Sequence, residues 1–282
     1  MKLKIIKINP LHSIGLFSVI IVALNFLYYR KKDELIYFKF DNLLYSNKLN
    51  IWDKFFIQPF NEYQDIIEKK LYQKDYKVEY FNNYNKNFPL NWVGKNIKLF
   101  YQKELINKFR KIFQEKIIFN NKIINKAKIF EAKYLNNKTL SIHIRGTDKF
   151  HAIDGHHKNL RNELDFSNIE KTIKLKMNQY KIKKLFLASD DKEYVKLIKN
   201  KFKTELTKMN STIFSEKKGV HTENVYQNED CKTKLGVEAI LDSILISKCF
   251  YSLLSQSNLS LVSILLRKDY KYKLIDENLK SR

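Results

Sequence analysis

The sequence contains few of the residues that cross-link a chain or interrupt its regular structure. Its 282 residues include 2 cysteines, 3 prolines and 6 glycines. A single pair of cysteines is no disulfide framework in a chain of this length, so we expect Cys231 and Cys249 to be reduced thiols in a reducing compartment. No stretch is rich in glycine or proline, so no flexible linker of that kind is predicted between domains.

Arginine is also scarce, although the chain is strongly basic. Lys and Arg together number 53 against 30 Asp and Glu, a formal net charge of +23, yet arginine occupies only positions 30, 110, 145, 161, 267 and 282. The lysines are spread along the chain without a basic tail or an arginine–aromatic stripe. We therefore expect no nucleic-acid partner, while a basic surface favours nucleotide-linked substrates or peripheral contact with an anionic membrane.

Long hydrophobic runs are missing as well. The main candidate, over 14–29, is shorter than the ~20 residues of a bilayer span. It contains Ser18 and Asn25, and no small-residue cleavage site follows it. Basic residues flank the run on both sides, so a signal anchor stays open as an alternative. We interpret the run as the first helix of an α/β unit, which predicts a cytoplasmic protein, peripheral at most to the inner face of the membrane.

Several signatures of catalytic and metal sites are absent from the sequence. There is no Gly-x-Ser-x-Gly elbow, no Walker loop and no Gly-x-Gly-x-x-Gly fingerprint, which argues against the corresponding hydrolases and nucleotide triphosphatases. His151, His156 and His157 lie close together, but no cysteine or carboxylate follows at zinc-ligand spacing. A solvated loop is the favoured interpretation of these histidines, and no metal site is expected.

What the sequence does contain is a regular alternation of strands and helices. Strands are predicted over 4–10, 35–40, 140–145, 184–189 and 251–254, with a weak strand over 211–214. Helices are predicted over 14–29, 51–59, 97–133, 168–180, 192–202, 235–249 and 261–266. Such alternation is typical of parallel sheets. We predict an α/β fold of two Rossmann-like lobes that face each other across a cleft, one over 1–136 and the other over 137–282.

The strand over 140–145 and the residues just after it form the most informative segment. Apolar and polar residues alternate along it up to Arg145, and Gly146 and Asp148 follow at once. Ligands of open α/β sheets bind beyond the carboxyl ends of the strands, and a guanidinium offers phosphate a bidentate fork. One interpretation is a diphosphate site in which Gly146 lets backbone amides approach and Asp148 acts as a base or as an orienting group. The other is a strand end with a surface salt bridge between Arg145 and Asp148.

Three further polar features can each be interpreted either as structural or as ligand-binding. Asp190 and Asp191 follow a buried strand and are interpreted as a helix N-cap rather than a metal-binding pair. Asp242 stands in an apolar helix, where a carboxylate needs a partner or a ligand unless it lies on a narrow polar side. The serine-rich turn over 255–260 joins a strand to a helix, so it either caps that helix or cradles a phosphate.

In this order, the segments resemble the fucosyltransferase superfamily, which includes the α-1,6-, α-1,2-, nodulation and protein O-fucosyltransferases. The His-x-Arg motif of that family resembles His143-Ile144-Arg145. Its strand followed by two aspartates resembles 186–191, and its acidic helix and serine-rich turn resemble 241–249 and 257–260. Gly15 and the helix after it resemble the loop and first helix of the acceptor lobe.

The resemblance implies a GT-B glycosyltransferase that moves fucose, or another sugar, from a GDP-sugar to a hydroxyl of a glycan or lipid-linked saccharide. Transfer would proceed with inversion and without a metal ion or other cofactor. It implies that Arg145 holds the β-phosphate and stabilises the departing diphosphate, and that His143 lines the nucleotide pocket. Asp242 would bind guanine or ribose, and Ser257 and Asn258 would bind the phosphates.

Two positions depart from the α-1,6 pattern. Gly146 stands where those enzymes usually have a second arginine, and Asn258-Leu259 stands where they have a Gln-containing turn. The donor sugar and the linkage therefore stay open, and Asp148 is the candidate general base. The alternatives are a transferase for another nucleotide sugar, a non-catalytic glycan- or nucleic-acid-binding module, and a membrane-anchored protein.

Overall fold

The computed structural model describes residues 1–8, 15–40, 45, 50–81, 88–90, 97–145, 165–207, 209–212 and 228–275. The elements of the first half are, in chain order, β1 (Lys2–Ile8), α1 (Leu16–Tyr28), β2 (Glu34–Lys39), α2 (Ile51–Phe55), β3 (Phe56–Ile57), α3 (Gln64–Tyr72), β4 (Tyr76–Phe81), α4 (Lys103–Lys116), β5 (Ile118–Phe119) and α5 (Asn121–Tyr134). Strands β2, β1 and β4 form a parallel sheet in that order, while β3 and β5 pair antiparallel.

The second half contains a four-stranded parallel sheet. Its elements are β6 (Thr139–Ile144), α6 (Phe166–Tyr180), β7 (Lys184–Ser189), α7 (Lys192–Lys201), α8 (Glu229–Lys248), β8 (Tyr251–Leu254), α9 (Asn258–Leu266) and β9 (Tyr272–Leu274). The strand order is β7-β6-β8-β9, and every pair is parallel. The predicted α/β fold with parallel sheets is confirmed.

Helix α1 is apolar on almost every side because it is enclosed by protein. It shares one hydrophobic core with the first sheet, and it packs against α4 and α9. Asn25, the polar residue within the run, is buried and paired: its amide donates to Leu90 O (2.9 Å) and its oxygen accepts from Leu90 N (3.1 Å). No helix within the described ranges is both long and apolar enough to cross a membrane.

One continuous hydrophobic core joins the two halves. It includes β1, β2, α1, α4 and α5 from the first half and α8 and α9 from the second. A smaller core lies on the other face of the second sheet, where α6 and α7 cover β6 and β7. Helices α8 and α9 therefore lie between the second sheet and the first half of the chain. The boundary between residues 136 and 137 stays a prediction.

The structure corrects several predicted elements. The helix over 97–133 is interrupted by β5, and the side chain of Asn120 caps the new helix α5 by accepting from Lys122 N (3.1 Å). The short helix before Pro59 ends at Phe55, because Phe56 and Ile57 extend to pair with β5. Ser211 and Thr212 lie in no strand, and the remainder of the predicted strand over 211–214 is outside the described residues. Elements α3, β4 and β9 are additional.

Candidate active site

The carboxyl end of β6 is the place where the predicted site residues meet. Strand β6 is buried along its whole length between β7 and β8. Because all three strands are parallel, their carboxyl ends lie at one edge of the sheet. That edge carries Arg145 after β6, Asp190 after β7 and Ser255 after β8. The topology thus produces the crevice in which open α/β sheets bind ligands.

Arg145 is held at this edge from two sides. Its guanidinium forms an ion pair with Asp190, and the two side chains are 20% and 15% exposed. Its backbone N–H donates to Ser255 Oγ (3.2 Å). A partly buried ion pair restricts the long arginine side chain, so the cation is held at the strand end. Gly146 and Asp148 lie outside the described residues, and their predicted roles stay predictions.

The two adjacent aspartates after β7 have different partners. Asp191 caps α7, because its carboxylate accepts from Glu193 N (2.9 Å) and Tyr194 N (3.2 Å). The predicted N-cap is therefore confirmed for Asp191. Asp190 instead pairs with Arg145. The capping interpretation of the pair is wrong for Asp190, because that carboxylate faces the cation on the neighbouring strand.

His143 belongs to a chain of buried hydroxyl groups under this edge. Its Nδ1 lies 2.8 Å from Ser260 Oγ, and Ser260 Oγ lies 2.6 Å from Ser255 O. Ser257 caps α9: its oxygen accepts from Ser260 N (3.1 Å). The three serines and His143 are each at most 4% exposed. The capping interpretation of the turn over 255–260 is confirmed for Ser257, and the histidine is fixed to the same turn.

The N-termini of α1 and α9 lie against each other beside this edge. Asn258 Nδ2, in the first turn of α9, donates to Ser18 Oγ, in the first turn of α1 (2.8 Å). Neither first turn contains an acidic residue. The amide oxygen of Asn258 is buried and has no hydrogen-bond partner within the described parts of the chain. Two helix N-termini and an arginine together form an environment that favours an anion.

Gly15 is the N-cap residue of α1 and therefore belongs to the same junction. Its backbone is extended (φ −64°, ψ 155°), a conformation open to any residue. Among the described residues, a Cβ added there would approach only the Tyr45 hydroxyl, at 4.0 Å. The glycine is thus not required by the packing that the structure describes.

Asp242 belongs to a second buried polar cluster, on α8. Its carboxylate accepts from Asn210 Nδ2 (3.1 Å) and from the Ser211 hydroxyl. Glu238, one turn earlier, accepts from Thr212 N (2.8 Å) and Thr212 Oγ1 (2.5 Å). Burial, with a smaller contribution from the charge of Glu238, raises the pKa of Asp242 to about 7, although the hydrogen bonds from Ser211 and Asn210 lower it. The chain itself therefore supplies the partners that a carboxylate on this helix needs.

Comparisons with solved structures identify the architecture. The chain matches NodZ, an α-1,6-fucosyltransferase from Bradyrhizobium co-crystallised with GDP, over 95% of its own length and 93% of NodZ, at TM-score 0.56 and 11% identity. It matches POFUT1 in complex with GDP over 96% and 98% of the two chains, at TM-score 0.52 and 13% identity. The chain has the fucosyltransferase fold.

A further solved structure shares this fold, whereas comparisons of sequence find no match. A FUT1 variant from Arabidopsis thaliana in complex with GDP shares this fold over 97% of the present chain and 70% of its own, at TM-score 0.51 and 10% identity. No protein-family model and no curated protein sequence matches the chain. The chain thus shares its fold with these structures at 10–13% sequence identity.

Within this fold, the structure brings together most of the predicted site residues but not all of them. Gly15, His143, Arg145, Ser257 and Asn258 lie around the carboxyl end of β6 and the junction of α1 with α9. Asp242 has its own partners on α8.

Four residues have partners at these clusters that the sequence did not predict. They are Ser18, Asp190 as the arginine partner, Glu238 and Ser260. The spacing of Glu238 and Asp242, one helical turn apart in an apolar helix, was a signal for a paired carboxylate cluster.

No group of three or more potential metal ligands occurs among the residues that the structure describes. The three histidines of the predicted polar loop, at 151, 156 and 157, lie outside those residues.

Proposed function

We propose that the protein is a glycosyltransferase that moves fucose from GDP-fucose to a glycan hydroxyl with inversion. The observation that supports this most directly is the position of Arg145, held by Asp190 at the strand edge beside the N-termini of α1 and α9. The matched NodZ, POFUT1 and FUT1 structures are each described as complexes with GDP. A cationic edge in this fold therefore suits the diphosphate of such a donor.

The proposed reaction breaks the bond between the anomeric carbon and the β-phosphate oxygen while an acceptor hydroxyl attacks from the opposite face. Negative charge then accumulates on the departing diphosphate. Arg145 and the two helix N-termini stabilise that charge, a contribution of about 3 kcal/mol for one well-placed donor. Because these groups stabilise the negative charge of the leaving group, we propose transfer without a metal ion or other cofactor. The proton of the acceptor hydroxyl goes to a general base, for which Asp148 remains the candidate.

The same arrangement suggests which residues bind the other parts of the donor. Ser257 and Asn258, at the start of α9, would bind the phosphates, and His143, which contacts the same turn, would line the nucleotide pocket. For Asp242 to bind guanine or ribose, Asn210 and Ser211 must first release its carboxylate. The acceptor would be a glycan or lipid-linked saccharide, and Gly15 would lie in the acceptor-lobe loop. We propose a cytoplasmic protein whose charge of +23 favours peripheral contact with an anionic membrane.

Calorimetry with GDP and UDP tests the nucleotide. We expect GDP to bind and UDP to bind at least ten-fold more weakly; a preference for UDP would overturn the fucosyl assignment in favour of another nucleotide sugar. Hydrolysis of GDP-fucose, GDP-mannose and UDP-sugars then ranks the donors. The anomeric configuration of the product, read by NMR, tests inversion. A salt-sensitive affinity for DNA without any affinity for GDP would instead support a non-catalytic binding module.

A further inference from the structure

A pocket of about 400 Å³ lies at the C-terminal end of α1, against the amino-terminal part of the first sheet. The α1 pocket is lined by the side chains of Lys4, Phe26, Tyr29, Glu34, Glu79 and Phe88. Helix α1 starts at the junction with α9 and has 13 residues, so the pocket is about 20 Å from that junction. A ligand in the α1 pocket therefore does not touch the proposed transfer site.

The floor of the α1 pocket carries three charged groups from three neighbouring strands. The parallel registers of β1 with β2 and β4 place Lys4, Glu34 and Glu79 on one face of the sheet. Lys4 Nζ lies 3.0 Å from Glu34 Oε1 and 3.4 Å from Glu79 Oε2. The side chain of Glu34 is almost buried and accepts also from Lys31 N (3.0 Å), whereas that of Glu79 is 37% exposed. Glu34 thus fixes the ammonium of Lys4, and Glu79 has oxygen lone pairs that a ligand can reach.

The pocket also has an aromatic wall. The ring of Phe88 packs edge-to-face on Phe26, with centroids 5.5 Å apart, and nearly parallel to Tyr29, with centroids 6.2 Å apart. Tyr29 is 54% exposed, so part of its ring is open to a ligand. The two hydrogen bonds between the Asn25 amide and the backbone of Leu90 tie the segment that carries Phe88 to α1. The buried asparagine of α1 therefore holds the aromatic wall in place.

Arg30 lies beside the same wall but is engaged elsewhere. Its guanidinium donates to Glu34 O (2.6 Å) and Lys32 O (3.3 Å), and it lies over the ring of Phe60, 4.8 Å from the centroid. Arg30 thus contributes a second positive charge to the surroundings of the pocket without offering a hydrogen bond to a ligand. With Lys4, it balances the two carboxylates.

This combination of groups excludes several classes of small ligand. Two carboxylates repel a phosphate, and the ammonium between them opposes a cation. A fatty chain would cover the charged floor without forming hydrogen bonds. A neutral ligand that has hydroxyl groups at its edge and C–H groups on one face satisfies both the floor and the wall. A monosaccharide unit has these features, and the volume of the pocket is within the range of small-molecule sites.

We propose that the α1 pocket binds one neutral saccharide unit of a glycan, away from the place of sugar transfer. Glu79 accepts from its hydroxyl groups, Lys4 donates to them, and the ring of Tyr29 packs against its C–H groups. The proposal rests on the proposed function for the source of the glycan, although the pocket itself does not involve GDP. A second contact of this kind raises the affinity for a long glycan, because two sites then hold one molecule.

The first experiment measures binding of simple sugars to the full chain. The probes are the methyl glycosides of glucose, galactose, mannose, fucose and N-acetylglucosamine, detected by saturation-transfer NMR. We expect at least one of them to bind with a Kd of about 1–10 mM, because a single sugar unit forms few contacts. Absence of a signal from every glycoside at about 50 mM would overturn the proposal.

Two variants then locate the bound sugar. Tyr29→Ala removes the ring and Glu79→Gln removes the charged acceptor at nearly the same shape, so we expect each to weaken binding roughly 5- to 10-fold. Tyr72→Ala is the matched control, because Tyr72 is 90% exposed at the end of α3 and does not line the pocket. The control should bind the sugar as the wild-type protein does. Wild-type affinity in Tyr29→Ala and Glu79→Gln would place the sugar elsewhere.

Competition separates the α1 pocket from the transfer site and tests the class of ligand. Saturating GDP should leave the sugar signal unchanged, and displacement by GDP would overturn a separate site. Displacement by tetramethylammonium would overturn the neutral ligand in favour of an organic cation. If the wild-type protein binds the glycoside as expected but does not bind GDP, the proposed function fails and the α1 pocket remains. If GDP binds and no glycoside does, only the α1 pocket is refuted.

Discussion

The two buried polar clusters of the second half differ in the groups that pair with their charges and hydrogen-bonding atoms. At the end of β6, the β6 cluster (His143, Arg145, Ser255, Ser257 and Ser260) borders the N-termini of α1 and α9. On α8, the α8 cluster (Glu238 and Asp242) is satisfied by the chain's own segment over 210–212. The first cluster combines a cation with helix N-termini, whereas the second consists of two carboxylates closed by neighbouring donors.

This difference indicates where a ligand can bind without breaking hydrogen bonds within the chain. Strand ends and helix N-termini are rigid, so the β6 cluster presents its cation and amides in a fixed geometry. The carboxylates of the α8 cluster must lose hydrogen bonds within the chain before they can meet a ligand. We therefore expect changes in the β6 cluster to alter nucleotide binding and turnover, and changes on α8 to alter stability first.

The largest expected effect comes from Arg145→Lys. Lysine keeps the charge and an ion pair with Asp190 but lacks the planar fork, so the leaving diphosphate is stabilised less well. We expect kcat to fall by roughly 100-fold, with the free energy of unfolding changed by about 0.5 kcal/mol or less. Steady-state kinetics with the preferred donor and urea denaturation measure the two quantities.

The matched control is Arg30→Lys. Arg30 follows the C-terminal end of α1, about 20 Å from the Gly15 end of that helix, and donates to the backbone oxygen of Glu34. Its replacement should leave kcat unchanged. A loss of turnover in Arg30→Lys that matches the loss in Arg145→Lys would remove the distinction between the β6 edge and the rest of the basic surface.

The next effect is on stability and comes from Gly236→Ala on α8. A Cβ at this position would lie 2.4 Å from Phe55 Cζ, and Phe55 is fully buried. The ring has no open space to enter, so we expect a loss of about 1–3 kcal/mol in the free energy of unfolding. A double-mutant cycle with Phe55→Leu locates the cause, because the smaller side chain should reduce the cost of the alanine. Additive effects of the two changes would contradict the clash.

The sequence predicted β1, β2, β6, β7 and β8, because these strands have strong apolar patterns. It missed β4 and β9, in which most residues are only half-buried or exposed. It also joined α4 and α5 into one helix. The two-residue strand between them is fixed by antiparallel pairing with β3, a contact more than sixty residues away in sequence.

The candidate site was predictable where it depends on neighbours in sequence. Arg145 at a strand end and Ser257 before a helix follow from local pattern and capping chemistry. The partners that these residues contact on other elements could not be predicted from the sequence. Asp190 meets Arg145 only because β7 and β6 are neighbouring parallel strands, and Ser18 meets Asn258 only because α1 packs against α9.

The third expected effect is a dependence of stability on pH that originates in the α8 cluster. Asp242 has a pKa of about 7 in the folded protein and 3.8 as its ordinary value. Between these values the unfolded chain is ionised while the folded protein keeps the proton, so unfolding releases a proton. Stability from this group is therefore fully present below pH 3.8 and is lost as pH rises to 7, by at most about 1.4 kcal/mol per pH unit.

Asp242→Asn tests this linkage because the amide has nearly the same shape and does not titrate. Urea denaturation from pH 4.5 to 7.5 should show a smaller decline in stability for the variant than for the wild-type protein. Asp230→Asn, an exposed aspartate on the same helix, should retain the wild-type decline. If all three proteins show the same pH dependence, the burial of Asp242 does not control it.

The smallest expected effect, and the sharpest test of the β6 cluster, comes from Gly15→Ala. The backbone conformation suits alanine, and among the described residues only the Tyr45 hydroxyl lies near the new Cβ. Reduced flexibility of the unfolded chain offsets a weaker N-cap, so stability should change by about 0.5 kcal/mol or less. A diphosphate at the junction of α1 and α9 would meet the added methyl group, so we expect GDP to bind roughly 3-fold more weakly. Guanosine, which has no phosphate, should bind equally to both proteins; an equal loss for guanosine and GDP would place the diphosphate away from the start of α1.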